Sequence, residues 1–207
     1  MGEMAHIWEW GEANDRAIAR QLRSLRLAEK LSLDEVASRT GISRGTLSRI
    51  ERGQTSPTAE TLGRLSALYA LTPSQLLGFA EDTLSAVTKF VDAKIWVDPE
   101  TGFERTAISP PMRGYAVELV HAKLPPNAEI AYAEPPFSGM EQHIFVLEGA
   151  LNIRNDGETF ELRTKDTLRM KLFGETVFHN PHKKAATYLV ALKGNRGLTL
   201  EGEHDGA

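Results

Sequence analysis

Residues 31–53, LSLDEVASRTGISRGTLSRIERG, contain two short helices and the turn between them. Ser32 stands three residues before Glu35, the spacing of a capping box, and opens one helix through Thr40. Gly41 stops that helix as a left-handed cap does. Ser43 caps the next helix, which ends near Arg52, before Gly53. Val36, Ala37, Ile42, Leu47 and Ile50 supply an apolar seam between the two helices, leaving Arg44, Gly45, Ser48 and Arg49 outward on the second. A helix with such a face fits the major groove of B-DNA, where arginine pairs bidentately with guanine. Ser32, Ser43, Thr46 and the helix N-termini are suited to phosphate oxygens.

Outward from this stretch the same period continues. Ile18, Leu22 and Leu25 share one helical face, as do Leu62, Leu65 and Leu68 behind a Thr58 cap. In TPSQLL, Thr72 is an N-cap, Pro73 takes the first helical position and Gln75 the third. The expected unit is five short helices sharing one small core. Residues 15–77 hold ten Lys/Arg and six Asp/Glu, although the whole chain of 207 residues carries a net −4. A basic module on an acidic body points to a polyanionic partner.

From Ile95 the period changes to two. YAVELVHAKL, HIFVLEG, ALNIRND, TFELR, DTLRMKL and TYLVAL read as short strands, the pattern of an all-β sandwich or barrel. NDGE (155–158) is a type I′ hairpin signal. Leu84, Val87 and Val91 suggest a helical connector between the halves. The chain has no cysteine, which excludes disulfides and zinc–thiolate sites. It shows no signal-peptide pattern at its N-terminus and no membrane-spanning apolar run, so a cytoplasmic location without membrane contact is expected.

The elements LDEVA, TGIS, LSRIERG, SP and ETL, in that order over about sixty residues, resemble the Cro/C1-type (XRE) helix-turn-helix family. The resemblance implies base contacts from Arg44, Gly45 and Arg49, and an ion pair between Arg26 and Glu51. That family often has glutamine where this chain has Leu33, a position that touches phosphate. Gly45 also departs from the pattern, because it offers no side chain and costs about 1 kcal/mol of helix propensity.

FVLEGALNIRNDGETFELRTKDTLRMKLFGETVFHNP resembles the cupin superfamily and, with IWVDPETGFERTAISP, the sensor half of regulators that fuse the two domains. The expected fold is therefore α+β: a five-helix helix-turn-helix domain joined to an antiparallel cupin (jelly-roll) barrel. The expected boundaries are an arm at 1–14, the DNA-binding domain at 15–78, a linker at 79–94, the cupin domain at 95–193 and a tail at 194–207. Counted from the cupin motifs, the metal-ligand glutamate falls at Gln142 and the third histidine at Thr176, while PPFSG lacks the His-x-His pair. No metal, cofactor or catalytic residue is expected. His143 and His179 are expected to face away from the interior by strand alternation. Gln142, Ile144, Leu168, Met170, Thr176, Phe178 and Tyr188 are expected to line a cavity for a small organic effector. The reading is a non-enzymatic homodimeric transcriptional regulator on a near-palindromic operator in double-stranded DNA. Two alternatives stay open: a metal-dependent cupin enzyme fused to a helix-turn-helix domain, and a repressor whose barrel only dimerises.

Overall fold

Apolar side chains at helical spacing, then at strand spacing, build one continuous core. The computed structural model describes residues 3–79, 87–112 and 115–193, with side chains from residue 15 onward. The helices are α1 (Glu3–Ala28), α2 (Leu33–Thr40), α3 (Arg44–Glu51), α4 (Ala59–Tyr69) and α5 (Pro73–Leu76). Helix α1 begins inside the stretch expected as an arm. Every expected cap is present: Ser32 and Thr72 form capping boxes, and Ser43 and Thr58 accept from the third helical amide. Gly41 ends α2 with φ 69°, a left-handed conformation that costs glycine little. Ile18, Leu22, Val36, Leu47, Ile50 and Leu62 bury together between the helices.

The described part of the linker does not form the expected helical connector. Residues 80–86, with Leu84, lie outside the described residues. Phe90–Asp92 form a single 3-10 turn, and Val87 and Val91 are exposed. Phe90 packs edge-on against His121, and the chain goes at once into a strand.

Among the described residues ten strands make two antiparallel sheets: β1 (Lys94–Val97), β2 (Glu104–Ser109), β3 (Val117–Leu124), β4 (Glu129–Tyr132), β5 (Met140–Glu148), β6 (Ala150–Asn155), β7 (Glu158–Arg163), β8 (Thr167–Leu172), β9 (Thr176–His179) and β10 (Ala186–Lys193). The six-stranded sheet has the order β1-β2-β3-β10-β5-β8 and the four-stranded sheet β4-β9-β6-β7. This is a jelly roll, the architecture of cupins. The sheets face one another as a sandwich and are not hydrogen-bonded into a closed ring. Strand β10 shows the alternation that buries one face, with Ala186, Tyr188, Val190 and Leu192 inward. Asp156 and Gly157 both have positive φ, 50° and 82°, as the type I′ turn between β6 and β7 requires.

The two halves are packed together. Trp96 Nε1 donates to Ser56 Oγ at 3.2 Å, and Arg105 Nη2 donates to Ser74 Oγ at 3.1 Å. Helix α4 lies directly on β4: a Cβ added to Gly63 would come within 2.9 Å of the Tyr132 ring. Among the described residues no helix is long and apolar enough to cross a membrane.

Candidate functional site

The first site is the exposed face of α3. Leu47 and Ile50 anchor the helix in the core, so the residues between them must face outward. Arg44, Gly45 and Arg49 are exposed, and Thr46 and Ser48 are half-buried. Arg44 Nε lies 3.2 Å from Asp34 Oδ1, and both side chains are mostly exposed (64% and 75%). Such a pair contributes about 0–1 kcal/mol, so DNA can take the arginine from it at little cost. Arg49 Nη2 donates weakly to Thr46 Oγ1 at 3.5 Å.

The hydroxyls expected at phosphates are engaged in capping. Ser43 Oγ accepts from Thr46 N at 3.1 Å and shares a hydrogen bond with Thr46 Oγ1 at 2.8 Å. Ser32 Oγ accepts from Glu35 N and donates to the Glu35 carboxylate. The two Ser32 hydrogen bonds, backbone first, hold the Glu35 carboxyl below the ordinary carboxylate range. Leu33 is half-buried and packs on the helical core. Behind the face, Arg26 donates from Nε and Nη2 to the two Glu51 oxygens at 2.7 and 2.8 Å, and from Nη1 to Leu31 O at 2.8 Å. The bond to Glu51 raises the Arg26 pKa against the opposing effect of burial. Tyr69, beside this pair, has its phenol pushed up to about 12, first by burial and then by the Glu51 charge.

The second site is a cavity of about 50 Å³ where the jelly roll meets the helices. Of the seven residues expected to line it, Gln142, Thr176 and Phe178 do so. Ile144, Leu168, Met170 and Tyr188 also point inward but are not on its wall; they fill the interior beyond it. Phe178 stacks on Tyr188 with ring centroids 6.1 Å apart. Sequence reasoning missed Arg105, Tyr132, Met140, Leu172 and Leu192, and also Gly63, Ser66 and Pro73 from the helical domain. Leu172 and Leu192 were accessible to strand alternation, whereas β2 and β4 carry no run of their own to read. The helical roof was not legible either, because no local pattern says which helix covers a barrel mouth. Burial pushes the Tyr132 and Tyr188 phenols up, with the Arg105 charge opposing, so both stay neutral.

The position that the cupin resemblance implies for a metal does not fit one. Gln142 and Thr176 are buried and inward where carboxylate and imidazole are required, and Thr176 Oγ1 is already bonded to Asn155 Oδ1 at 3.1 Å. His143 is exposed on the opposite face of β5 and His179 is half-buried. Among the described residues no His, Cys, Asp and Glu group could hold a metal ion. Asn180, fully buried, has a structural task instead: its amide nitrogen lies 2.9–3.1 Å from the carbonyls of Leu124, Pro125 and Lys184, pinning the β9–β10 loop.

Comparison with known proteins agrees with both halves. Residues 17–77 match the helix-turn-helix domain family described as HTH_31. The chain is 33% identical over 93 residues to the HTH-type transcriptional regulator DdrOP3 of Deinococcus deserti, covering 43% of this chain and 71% of that protein. It is 22% identical over 171 residues to the HTH-type transcriptional regulator SutR of Escherichia coli K12, covering 80% of this chain and 88% of that protein. A solved HTH_3 family transcriptional regulator from Vibrio cholerae shares the fold along 90% of this chain and 99% of its own length, with TM-score 0.71 and 23% identity. With a capped helix-turn-helix at one end and a jelly roll at the other, the chain belongs to the HTH-type transcriptional regulators.

Proposed function

We propose that this regulator binds a near-palindromic operator as a homodimer, reads it with Arg44 and Arg49, and responds to a small organic effector held by the cupin domain. In this division of labour residues 15–78 read DNA, 79–94 link, and 95–193 pair subunits and sense. The observation that carries the reading is the α3 face: two exposed arginines on a helix whose opposite side is locked in the core. Dimerisation is supported by the outer face of the six-stranded sheet. Ile95, Val97, Val117 and Phe145 are exposed there although they sit on regular strands, with exposed Phe90 beside them. A second copy of the chain suits this face, since a two-fold axis sets two reading helices about 34 Å apart, one DNA turn. The donor set around Gln142 and Thr176 favours a sensor over a metal-dependent catalyst.

Selection of bound sequences from a random DNA pool, followed by titration of the winning site, tests this. The expected result is a two-fold symmetric site, and a loss of about 1–3 kcal/mol of specific binding in Arg44→Ala or Arg49→Ala. Wild-type affinity in both variants, or a chain that sediments as a monomer on and off DNA, overturns the reading.

A further inference from the structure

The cavity between the halves is lined by polar atoms that lack partners. Ser66 Oγ, Arg105 Nε and Gln142 Oε1 are buried without a hydrogen bond, and all three residues line it. One comes from α4, one from β2 and one from β5. Arg105 is only 5% exposed. Its one described bond goes to the neutral Ser74 hydroxyl, and it makes no ion pair among the described residues. Buried Asp98 lies on the same side of the hairpin, but its carboxylate accepts from Glu100 N and Thr101 Oγ1 and forms no ion pair with Arg105. A buried guanidinium with no anion in contact is costly, whereas a carboxylate supplies both the charge and the acceptor it lacks. Glu118 is also buried without partners, but it does not answer this need. Arg105 sits opposite Ala122, and Glu118 lies four residues further along β3, about 13 Å at strand rise. Glu134, on the cavity's rim, is exposed to solvent. The remaining wall is mainly apolar, with Met140, Leu172, Phe178 and Leu192 beside the hydroxyl-bearing Tyr132 and Thr176.

From this geometry we infer that Arg105 anchors the carboxylate of a small organic acid whose apolar part lies along Met140, Leu172 and Leu192, under a roof made by α4 and α5. The inference rests on the effector reading above and names the effector's class. Gln142 Oε1 accepts from a hydroxyl or amine near the carboxylate, and Ser66 reports the ligand to α4. At about 50 Å³ the space is small beside the roughly 300–1,000 Å³ of ordinary ligand pockets. An acid of more than a few heavy atoms therefore lifts the roof. The roof is the same α4 that packs on α2 in the DNA-binding domain. Ligand and reading helix are thus coupled by packing, from α4 through α2 to α3.

Thermal melting and calorimetric titration of the full chain test this, with short-chain 2-hydroxycarboxylates as probes and their primary amides as neutral controls. The acids should bind saturably and raise Tm, and the amides should not. Arg105→Gln should weaken acid binding by about tenfold or more, as loss of a charge-assisted bond does. Ser66→Ala and Gln142→Ala, which leave the Arg105–Ser74 bond in place, should each weaken it several-fold. Hydrogen exchange in residues 59–69 should change on acid binding. Undiminished acid binding in Arg105→Gln, or binding of the amides in place of the acids, overturns the anion assignment and leaves the effector reading standing. If neither series binds, the anion assignment falls; if a wider set of neutral metabolites also leaves Tm unchanged, the effector reading falls with it.

Discussion

Arg26 and Glu51 show what one residue pair can hold. Their side chains are 13% and 11% exposed and meet through two parallel bonds, joining the end of α1 to the end of α3. Arg26→Ala strands the Glu51 carboxylate in a partly buried site and should cost about 3–5 kcal/mol in denaturant unfolding. Replacing both residues with apolar side chains of similar volume should restore most of that, because the pair's own desolvation is removed with it. Equal losses in the single and double replacements would count against the stranded-charge account. Gly45 is the opposite case, a residue the fold does not need. A Cβ there meets only Ser43 Oγ, at 3.9 Å. Gly45→Ala should stabilise the chain by about 0.5–1 kcal/mol, since alanine loses less entropy in a helix. If close approach to DNA is why glycine stands there, operator affinity falls in the variant while Tm rises. A rise in both assigns Gly45 no part in binding.

Helix α4 belongs to two neighbourhoods. Leu62 and Leu65 bury into the DNA-binding domain, while Gly63 and Ser66 face the jelly roll. Its glycine is explained by that second contact and not by the helix. Gly63→Ala gains about 0.5–1 kcal/mol of helix propensity, yet its methyl must displace the Tyr132 ring. Tyr132 is held edge-on by Phe178, with centroids 6.2 Å apart. Overpacking of this kind costs about 1–3 kcal/mol, so the net effect should be a lower Tm. A higher Tm would mean that the ring swings away freely and that the two halves are only loosely joined. The β9–β10 loop is another element whose sequence signal had a different meaning from its family association. HNP marks the close of a cupin motif, and here its asparagine ties three carbonyls together with no metal ligand beside it.

For the molecule as a whole, the outer face of the six-stranded sheet carries a pH-sensitive group. His121 lies there, edge-on to Phe90 at 5.4 Å. Partial burial pushes its imidazole below the usual value, with Glu104 opposing and Lys123 adding. Its folded pKa is lowered, so its contribution is present above the unfolded value of about 6.5 and is lost as pH falls through that value toward the folded one. Tm should therefore drop on going from pH 7 to 5, and the drop should be shallower in His121→Gln. An identical pH profile in the two proteins would remove His121 from the account. Apart from the start of α1, the helical domain was legible in the sequence nearly to the residue, because caps, glycines and apolar spacing are local: Ser32, Gly41, Ser43, Thr58 and Thr72 each act within four residues of themselves. The jelly roll was legible as alternating strands, and Ile144 and Tyr188 fall on the inward side of their runs, whereas Gln142 and Thr176 were located by the resemblance to cupin motifs. Four strands, β1, β2, β4 and β9, had no run of their own strong enough to name; long-range pairing defines them. What only the tertiary structure decided is where the halves meet. Arg105 reads in sequence as a surface charge, and it is buried because α5 brings Ser74 over it and α4 closes the space beside it. That burial comes from packing between segments some thirty to forty residues apart, and no local pattern in a chain encodes it.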